Sequence, residues 1–385
     1  MIAARRLLPL ALLIGAPVAP LLAQMPPKGE AVRIASDPGV TLAGELRLPP
    51  GVQRPPVVLL LGGAGESPHG IYPLLEQRLL ARGIATLSFD KRGVGASTGT
   101  FFDAIDVAQR DAAAVLAWLR TRGDVIDPAR IAVLGMSQSG VIGPALAVAM
   151  PSVAAPPVAA VVMLSAPVGE RGKLFLDSMQ EQLATSGMKA EALTPVIEAT
   201  RRYLDDLTGG GAPGLVAAGR AGVVDAFVAA GWMPAQAEGA VKTLSDPATS
   251  SLYTVGPGAV LRQVKAPVLA LYAAGDTVVS NRLAIPSALG ALGANPDATV
   301  VRMPKVEHGF KPLVATEGGK AEYRGWPISD PDTIDLIDRW LGKRLGVGGD
   351  LRPLSLRTPA CAGVRVTTRN RYFADVLVEL GAGVG

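Results

Sequence analysis

Three residues of the types that carry out acyl transfer stand in the order Ser137, Asp276 and His308 along the chain. A serine hydroxyl is hardly nucleophilic at neutral pH, so it needs a histidine to accept its proton and a carboxylate to fix the tautomer of that histidine. The chain has only two histidines, His69 and His308, and one of them must supply the base. We predict Ser137 as the nucleophile, Asp276 as the acid and His308 as the base.

Ser137 stands at the apex of the segment IAVLGMSQSG, residues 131–140. The apolar run before Gly135 is typical of a strand buried in a parallel sheet, and a helix begins almost directly after it. A turn this sharp strains the serine backbone and needs small residues two positions away on either side, which are Gly135 and Ser139. The usual pattern is G-x-S-x-G, so Ser139 departs from it, and taken alone the segment also fits a serine-rich helix cap.

Acyl transfer also requires N–H donors for the negative oxygen that develops in the transition state. We expect one donor to be the backbone N–H of Gln138, the residue after the nucleophile. The other is expected in the glycine-rich loop of residues 62–65, which follows the apolar strand VVLLL, and Ala64 is its best candidate. The glycines of that loop let the backbone come close to the reacting group.

Each of these residues has a structural alternative when it is taken alone. An aspartate after a strand is commonly a turn or helix cap, and a histidine in a loop is commonly just exposed. The joint pattern favours catalysis, because all three residues follow predicted strands, whose carboxyl ends form the functional edge of a doubly wound sheet. The order serine, acid and histidine, with a glycine-rich loop on an earlier strand, strengthens this interpretation.

Three further residues close to these segments have weaker signals. His69 lies near the glycine-rich loop and could contact a substrate, but an exposed loop position is the simpler interpretation. Asp90 and Arg92 are expected to hold their own loop in shape through local hydrogen bonds.

The elements that position these residues alternate between strands and helices. Residues 31–50 alternate apolar and polar positions around an Asp-Pro-Gly turn, which predicts two antiparallel strands. Strand, loop and helix then follow one another repeatedly. The sequence therefore predicts the α/β class, with a mostly parallel, doubly wound sheet covered by helices on both faces.

A helical insertion divides the predicted core. The first part of the core covers residues 31–167 and the second part covers residues 265–345. Residues 168–264 contain amphipathic helices without a buried strand pattern, so we interpret them as a helical cap. Its acidic residues are expected on solvated helix faces, and they are Asp177, Glu181, Asp205 and Asp206.

Residues 347–385 are rich in Gly, Arg, Thr and Pro and are expected to form a loosely attached or disordered tail.

Composition excludes several classes of function. With 49% hydrophobic and 18% charged residues, the chain of 385 residues forms a core rather than a disordered polymer. Its formal charge of +4 is not concentrated in a basic cluster, so we expect no nucleic-acid partner. The single cysteine, Cys361, cannot form an intrachain disulfide. Cysteine and histidine do not cluster with metal-ligand spacing, and neither a metal nor a cofactor is expected.

Residues 1–23 have the organisation of a secretory signal peptide. A basic pair precedes an apolar run that ends in a small residue at Ala23. A membrane anchor is the alternative, but three prolines interrupt the run and it is short for a span of about 20 residues. We expect cleavage, a periplasmic or secreted mature protein, and no stable membrane insertion.

Three further segments form a recognisable set: FDKRGVGASTG at residues 89–99, the segment around Ser137 with VIGP after it, and His308 ahead of a helix that ends RWL. Together these motifs resemble bacterial α/β-hydrolases of the serine aminopeptidase-like esterase group. The resemblance covers roughly residues 31–345. It implies a cofactor-free serine hydrolase with a helical cap, and the same three catalytic residues. Met136 stands where this family commonly has His, and Ser139 where it commonly has Gly.

The leading hypothesis is a secreted hydrolase of carboxylic esters that works through an acyl-enzyme on a small-molecule ester or acyl substrate. The alternatives with the same triad are a serine aminopeptidase or amidase, or a thioesterase. A peptidase would need cap acids such as Glu181 or Asp205 turned inward to bind the substrate amine. A third hypothesis is a non-catalytic binding protein on a hydrolase scaffold.

Overall fold

The computed structural model describes residues 26–148, 157–315, 320–349 and 366–367. The predicted signal peptide and Cys361 lie outside the described residues. The strands are β1 (Glu30–Ala35), β2 (Thr41–Arg47), β3 (Val57–Leu61), β4 (Ala85–Phe89), β5 (Ile131–Met136), β6 (Ala160–Leu164), β7 (Val268–Ala273), β8 (Ala298–Met303), β9 (Leu313–Ala315), β10 (Ala321–Tyr323) and β11 (Val366–Thr367). The helices are α1 (Pro73–Arg82), α2 (Ile105–Thr121), α3 (Gln138–Ala147), α4 (Lys173–Thr185), α5 (Ala190–Thr208), α6 (Pro213–Ala229), α7 (Pro234–Ser245), α8 (Pro247–Thr254), α9 (Pro257–Leu261), α10 (Asn281–Leu292) and α11 (Pro331–Arg344).

One large sheet organises the molecule, with the strand order β1-β2-β4-β3-β5-β6-β7-β8-β11. The strands from β4 to β8 in this order run parallel to one another. Antiparallel pairing occurs at the two ends of the order, where β1 pairs with β2, β2 with β4, and β11 with β8. The prediction of a mostly parallel sheet after an antiparallel start is confirmed.

The sheet is apolar on both faces because its central strands carry no polar alternation. Val57, Leu59 and Leu61 of β3 point into one buried cluster. Val58 and Leu60 point into the other, as the two-residue period of a strand requires. Helices α1 and α11 cover the second cluster, and α2, α3 and α10 cover the first. Burial on both faces fixes the strand register, and with it the positions of the loops that follow the strands.

Helices α4 to α9 lie between β6 and β7, in the region where the sequence predicts a cap. They have an apolar cluster of their own, in which Tyr203, Phe227 and Val241 are fully or almost fully buried. A hydrogen bond of 3.0 Å from the Ile105 N–H to Ser251 Oγ links α8 to the start of α2. That this helical insertion covers the active site stays a prediction.

Two features lie near the carboxyl end of the chain. Strands β9 and β10 form a short antiparallel hairpin between β8 and α11, which the sequence analysis missed because both are exposed and three residues long. Most of the predicted tail, residues 347–385, lies outside the described residues, apart from 347–349 and the two residues of β11. Within the described part of the chain, no helix is both long and apolar enough to cross a bilayer.

Candidate active site

Ser137 lies between the last residue of β5 and the first residue of α3, with φ 55° and ψ −120°. A residue with a side chain rarely adopts a positive φ, so surrounding contacts must hold this conformation. A Cβ at Gly135 would overlap the carbonyl oxygen of Ser139, and a Cβ at Gly140 would lie 2.6 Å from the Cβ of Ala166. Gly135 therefore lets β5 approach α3, Gly140 lets α3 approach the segment after β6, and the predicted strained turn is present.

Ser139 is more than a small residue in this turn. Its side chain is buried, and its hydroxyl donates a hydrogen bond to the carbonyl oxygen of Gly62. This bond joins the first turn of α3 to the glycine-rich loop after β3. Residue 139 makes its close contact with Gly135 through the backbone carbonyl and not through the side chain, which explains how a serine fits there.

The ends of neighbouring strands bring the three predicted residues to one edge of the sheet. The Ser137 N–H donates to the Leu164 carbonyl at the end of β6, at 2.8 Å. In turn the Ser165 N–H donates to the Leu271 carbonyl in β7, at 2.7 Å. Asp276 follows β7 and His308 follows β8, the next strand in the sheet.

Asp276 and His308 are in direct contact. The Nδ1 atom of His308 lies 2.9 Å from Oδ1 and 2.8 Å from Oδ2 of Asp276. The backbone N–H groups of Val278 and Val279 donate to Oδ1 as well, at 2.8 and 2.9 Å. The carboxylate side chain is fully buried and the imidazole is 17% exposed. Because Nδ1 is held by the carboxylate, Nε2 is the ring nitrogen left to accept a proton.

The charge state of Asp276 follows from these contacts. Burial acts to raise the pKa of Asp276, but the hydrogen bond and charge of His308, with the Val279 N–H, outweigh burial and hold that pKa below its ordinary value. The acid is therefore ionised at neutral pH and can orient His308 and stabilise its protonated form. Among the described residues, Ser137 makes no hydrogen bond to His308, a bond that is often long in enzymes without substrate.

The two predicted oxyanion donors flank Ser137. Gln138 is the first residue of α3, so its N–H has no partner within the helix. On the other side, a Cβ on Gly63 would lie 3.6 Å from the Cβ of Ser137, which puts the glycine-rich loop against the nucleophile. The N–H of Ala64, the next residue, has no acceptor within the described part of the chain. Within the described residues neither N–H group has an acceptor, so both are candidates to bind an oxygen that develops charge.

His69 is part of the framework beside this site. Its backbone N–H and its ring Nδ1 bond to Oδ1 of Asp90 at 2.8 and 2.7 Å. Asp90 also accepts from the Ala96 N–H at 2.8 Å, so it holds its own loop as the sequence predicts. Arg92 reaches further than expected, since its guanidinium pairs with Asp111 at 2.6 Å and Asp37 at 2.8 Å rather than within its loop.

Two of the acidic residues of the helical insertion, Glu181 and Asp205, have hydrogen-bond or ion-pair partners. Glu181 pairs with Arg282 at 2.8 Å and accepts a hydrogen bond from Ser280. Asp205 accepts from the hydroxyl of Tyr253 at 2.6 Å, and its side chain is 52% exposed. These contacts agree with the prediction of solvated helix faces.

Sequence reasoning missed Lys91 and Asp103 as residues of the site. Lys91 stands inside the FDKRGVG motif without an assigned role, and Asp103 precedes α2, where an aspartate reads as a helix cap. The structure instead turns both side chains toward the glycine-rich loop. No local signal distinguishes these contacts, because the partners are backbone atoms distant in sequence.

The chain belongs to the alpha/beta hydrolase family, whose model matches residues 57–317. A strained serine at the strand-to-helix turn and a parallel sheet with helices on both faces are what that family requires. A search of curated proteins found no match.

Several solved structures are similar in fold. An esterase of Pyrococcus furiosus is 15% identical, with a TM-score of 0.48 over 83% of this chain and 91% of that chain. Est1E of Butyrivibrio proteoclasticus, solved with ferulic acid bound, is 16% identical, with a TM-score of 0.49 over 82% of this chain and 100% of that chain. A proline iminopeptidase of Mycobacterium smegmatis is 15% identical, with a TM-score of 0.49 over 82% of this chain and 99% of that chain.

Proposed function

We propose that this chain is a serine hydrolase that cleaves carboxylic esters of small molecules through an acyl-enzyme intermediate. The observation that carries the proposal is the contact between His308 Nδ1 and the buried Asp276 carboxylate, at the same sheet edge as the strained Ser137. Acyl transfer uses these three groups: the serine as nucleophile, the histidine as base and the carboxylate to orient the histidine.

The reaction follows from these groups. Nε2 of His308 takes the proton of the Ser137 hydroxyl as its oxygen forms a bond to the ester carbonyl carbon, and the carbonyl electron pair moves onto oxygen. The N–H groups of Gln138 and Ala64 bind that oxyanion, each contributing about 3 kcal/mol of transition-state stabilisation. The tetrahedral intermediate then expels the alkoxide, which takes the proton from His308 and leaves as an alcohol. Water repeats the sequence on the acyl-enzyme and releases the acid.

An aminopeptidase would need a carboxylate free to bind the substrate amine. Glu181 is engaged with Arg282 and Ser280, and Asp205 with Tyr253, so neither acid named for that role is free. The engagement of these two acids supports esters over aminoacyl substrates. A thioester would use the same triad and belongs in the same test.

The proposal is tested by comparing the wild type with Ser137→Ala on short p-nitrophenyl esters, an acyl thioester and an aminoacyl p-nitroanilide. The exposed Ser186→Ala in the helical insertion is the matched control. We expect the wild type and the control to prefer the esters and to react with a fluorophosphonate probe, and Ser137→Ala to lose both properties. Unchanged ester turnover in Ser137→Ala would overturn the mechanism, and a wild type without turnover or labelling would favour a binding protein.

We also propose that residues 1–23 direct export and are then removed. The basic pair and the apolar run before Ala23 support this. Sequencing the amino terminus of exported protein is expected to begin after Ala23, and a sequence that begins at Met1 would overturn it.

A further inference from the structure

The glycine-rich loop of residues 62–65 is held by side chains from outside it. The Gly62 carbonyl accepts from Ser139, as described above. The Gly63 carbonyl accepts from Lys91 Nζ at 2.5 Å, and the Gly65 N–H donates to Asp103 Oδ2 at 2.6 Å. These bonds lie on both sides of the Ala64 N–H and fix the direction in which it points.

Lys91 and Asp103 also bond to each other and to the helix that begins after the nucleophile. Lys91 Nζ lies 2.6 Å from Asp103 Oδ1. The side chain of Gln138 donates through Nε2 to the Asp103 carbonyl at 2.8 Å, and its Oε1 lies 3.4 Å from Lys91 Nζ. The pair therefore contacts both segments that carry the predicted oxyanion donors, the loop with Ala64 and the first residue of α3.

Packing around the loop is incomplete on one side. A pocket of about 30 Å³ is lined in part by Gly62, Lys91, Asp103 and Ser139. Atoms next to a void lose contacts on that side, so the hydrogen bonds carry part of the restraint on the loop.

The ion pair is also costly to bury. The side chains of Lys91 and Asp103 are only 13% and 4% exposed. Burial lowers the pKa of Lys91, although Asp103 works in the opposite direction. Buried ion pairs often stabilise a fold no better than apolar residues of the same size. A role other than general stability would explain why charges fill this position.

We propose that Lys91 and Asp103 are positioning residues that set the spacing between the two oxyanion donors, the N–H groups of Ala64 and Gln138. This inference rests on the proposed function. In this role neither residue touches the substrate. Each acts through the backbone of the loop and through Gln138, so their loss should impair the transition state while leaving substrate binding intact.

The test uses Lys91→Met, which keeps the length of the side chain and removes the charge, and the isosteric Asp103→Asn, together with the double variant. The control is Arg78→Met, because Arg78 belongs to a buried ion pair with Asp338 between α1 and α11, away from the loop. For each variant, turnover of an ester is compared with turnover of its thionoester. Fluorophosphonate labelling counts the active sites, and thermal unfolding shows whether the variant is folded. A thiono sulfur is a poor hydrogen-bond acceptor, so it gains little from donors placed for oxygen.

We expect Lys91→Met to lower kcat for the ester about 10- to 100-fold with KM unchanged, a smaller effect than the loss of a donor. The ratio of ester to thionoester turnover should fall by a similar factor. The double variant should resemble the worse single variant, because the two residues act as a unit. Arg78→Met should lower the unfolding temperature and leave the ratio as it is in the wild type.

Two outcomes would overturn the positioning role. One is a Lys91→Met or Asp103→Asn protein with wild-type kcat and ratio. The other is an equal loss on both substrates, which a general loss of structure would produce. If Lys91→Met does not fold, the ratio of ester to thionoester turnover in Asp103→Asn decides whether the positioning role holds. Ser137→Ala separates the two proposals: an inactive Ser137→Ala with an unaffected Lys91→Met removes the positioning role alone, whereas an active Ser137→Ala removes the proposed function and this role with it.

Discussion

The carboxyl edge of the sheet and the helical insertion are both built on buried apolar residues, but they differ in the burial of their polar side chains. At the sheet edge, buried polar side chains such as that of Asp276 have fixed partners, and the backbone has a positive φ at Ser137, Ser165 and Phe310, with values of 55°, 44° and 57°. In the insertion, ion pairs such as Arg220 with Glu238 have side chains that are 45% and 49% exposed. The sheet edge can hold reacting atoms in place, whereas the insertion is free to vary its surface.

The difference predicts where substitutions will act. A change at the edge should alter the chemical step, whether or not it also changes stability. A change in the insertion should alter stability or substrate fit with little change in the chemical step. Proteins keep strained and buried polar groups where rigidity serves a function.

Asp276→Asn should give the largest effect. An asparagine can hold His308 in the wrong tautomer and cannot stabilise its protonated form, so kcat should fall about 10⁴-fold. Steady-state kinetics on a p-nitrophenyl ester will measure this. A loss below about tenfold would remove Asp276 from the chemistry of the sheet edge.

The same variant has a defined effect on pH dependence. The pKa of Asp276 is lower in the folded chain than its ordinary value, so the ionised carboxylate stabilises the fold above that ordinary value. This contribution is lost as the pH falls through the lowered pKa. We therefore expect the wild type, measured by thermal unfolding between neutral and acidic pH, to lose more stability than Asp276→Asn. Equal losses would contradict the assignment.

Phe227→Ala tests the helical insertion. Phe227 is 1% exposed in the cluster of the insertion, with its ring 4.6 Å from that of Trp232. The cavity left by its removal should lower the free energy of unfolding by about 3–5 kcal/mol. Chemical denaturation will measure this, and kcat for a short ester should change little. A large fall in kcat for the folded variant would place the insertion within the catalytic apparatus.

Ser139→Ala sharpens the comparison within the sheet edge. The substitution leaves the partly buried Gly62 carbonyl without its donor, which should lower the free energy of unfolding by about 1 kcal/mol. If the bond serves the glycine-rich loop, the loss should occur mainly in kcat. Measuring kcat and the unfolding curve of the same variant will separate an effect on catalysis from an effect on stability. A loss of stability with unchanged kcat would assign Ser139 to the fold alone.

Glu181→Gln should give the smallest effect. The hydrogen bond of Arg282, followed by that of Ser280, lowers the pKa of Glu181, but the carboxylate is 31% exposed and Arg282 is 67% exposed. An exposed pair contributes less than about 1 kcal/mol. KM for esters of increasing acyl length should therefore shift only a fewfold, with kcat unchanged. A strong loss of kcat would connect α4 directly to the reaction.

The sequence was informative where one local rule decides the structure. A strand of continuous apolar residues that ends in Gly135 predicts the turn at Ser137, because both the burial and the turn are set within a few residues. The placement of Asp276 and His308 could be predicted because parallel strands end at a common edge. Their contact in the structure agrees with that expectation.

The remaining features depend on contacts distant in sequence. Lys91 and Asp103 bind backbone atoms of the glycine-rich loop, and nothing in their flanking residues encodes such partners. In the sequence Ser139 is only an irregular small residue, since only the structure shows that its hydroxyl bonds to Gly62 and that a close contact lies at Gly140. The three-residue strands β9 and β10 lack the length that makes a strand pattern readable.

The position of the helical insertion has a consequence for the order of assembly. Ser137 precedes the insertion, whereas Asp276 and His308 follow it, so the proposed nucleophile is synthesised before the groups proposed to activate it. Strands β7 and β8 reach β6 only after the long intervening segment has been bridged, which raises the contact order and slows folding. During synthesis the serine therefore remains an ordinary alcohol, and hydrolytic activity is expected to arise only when the last third of the chain has folded.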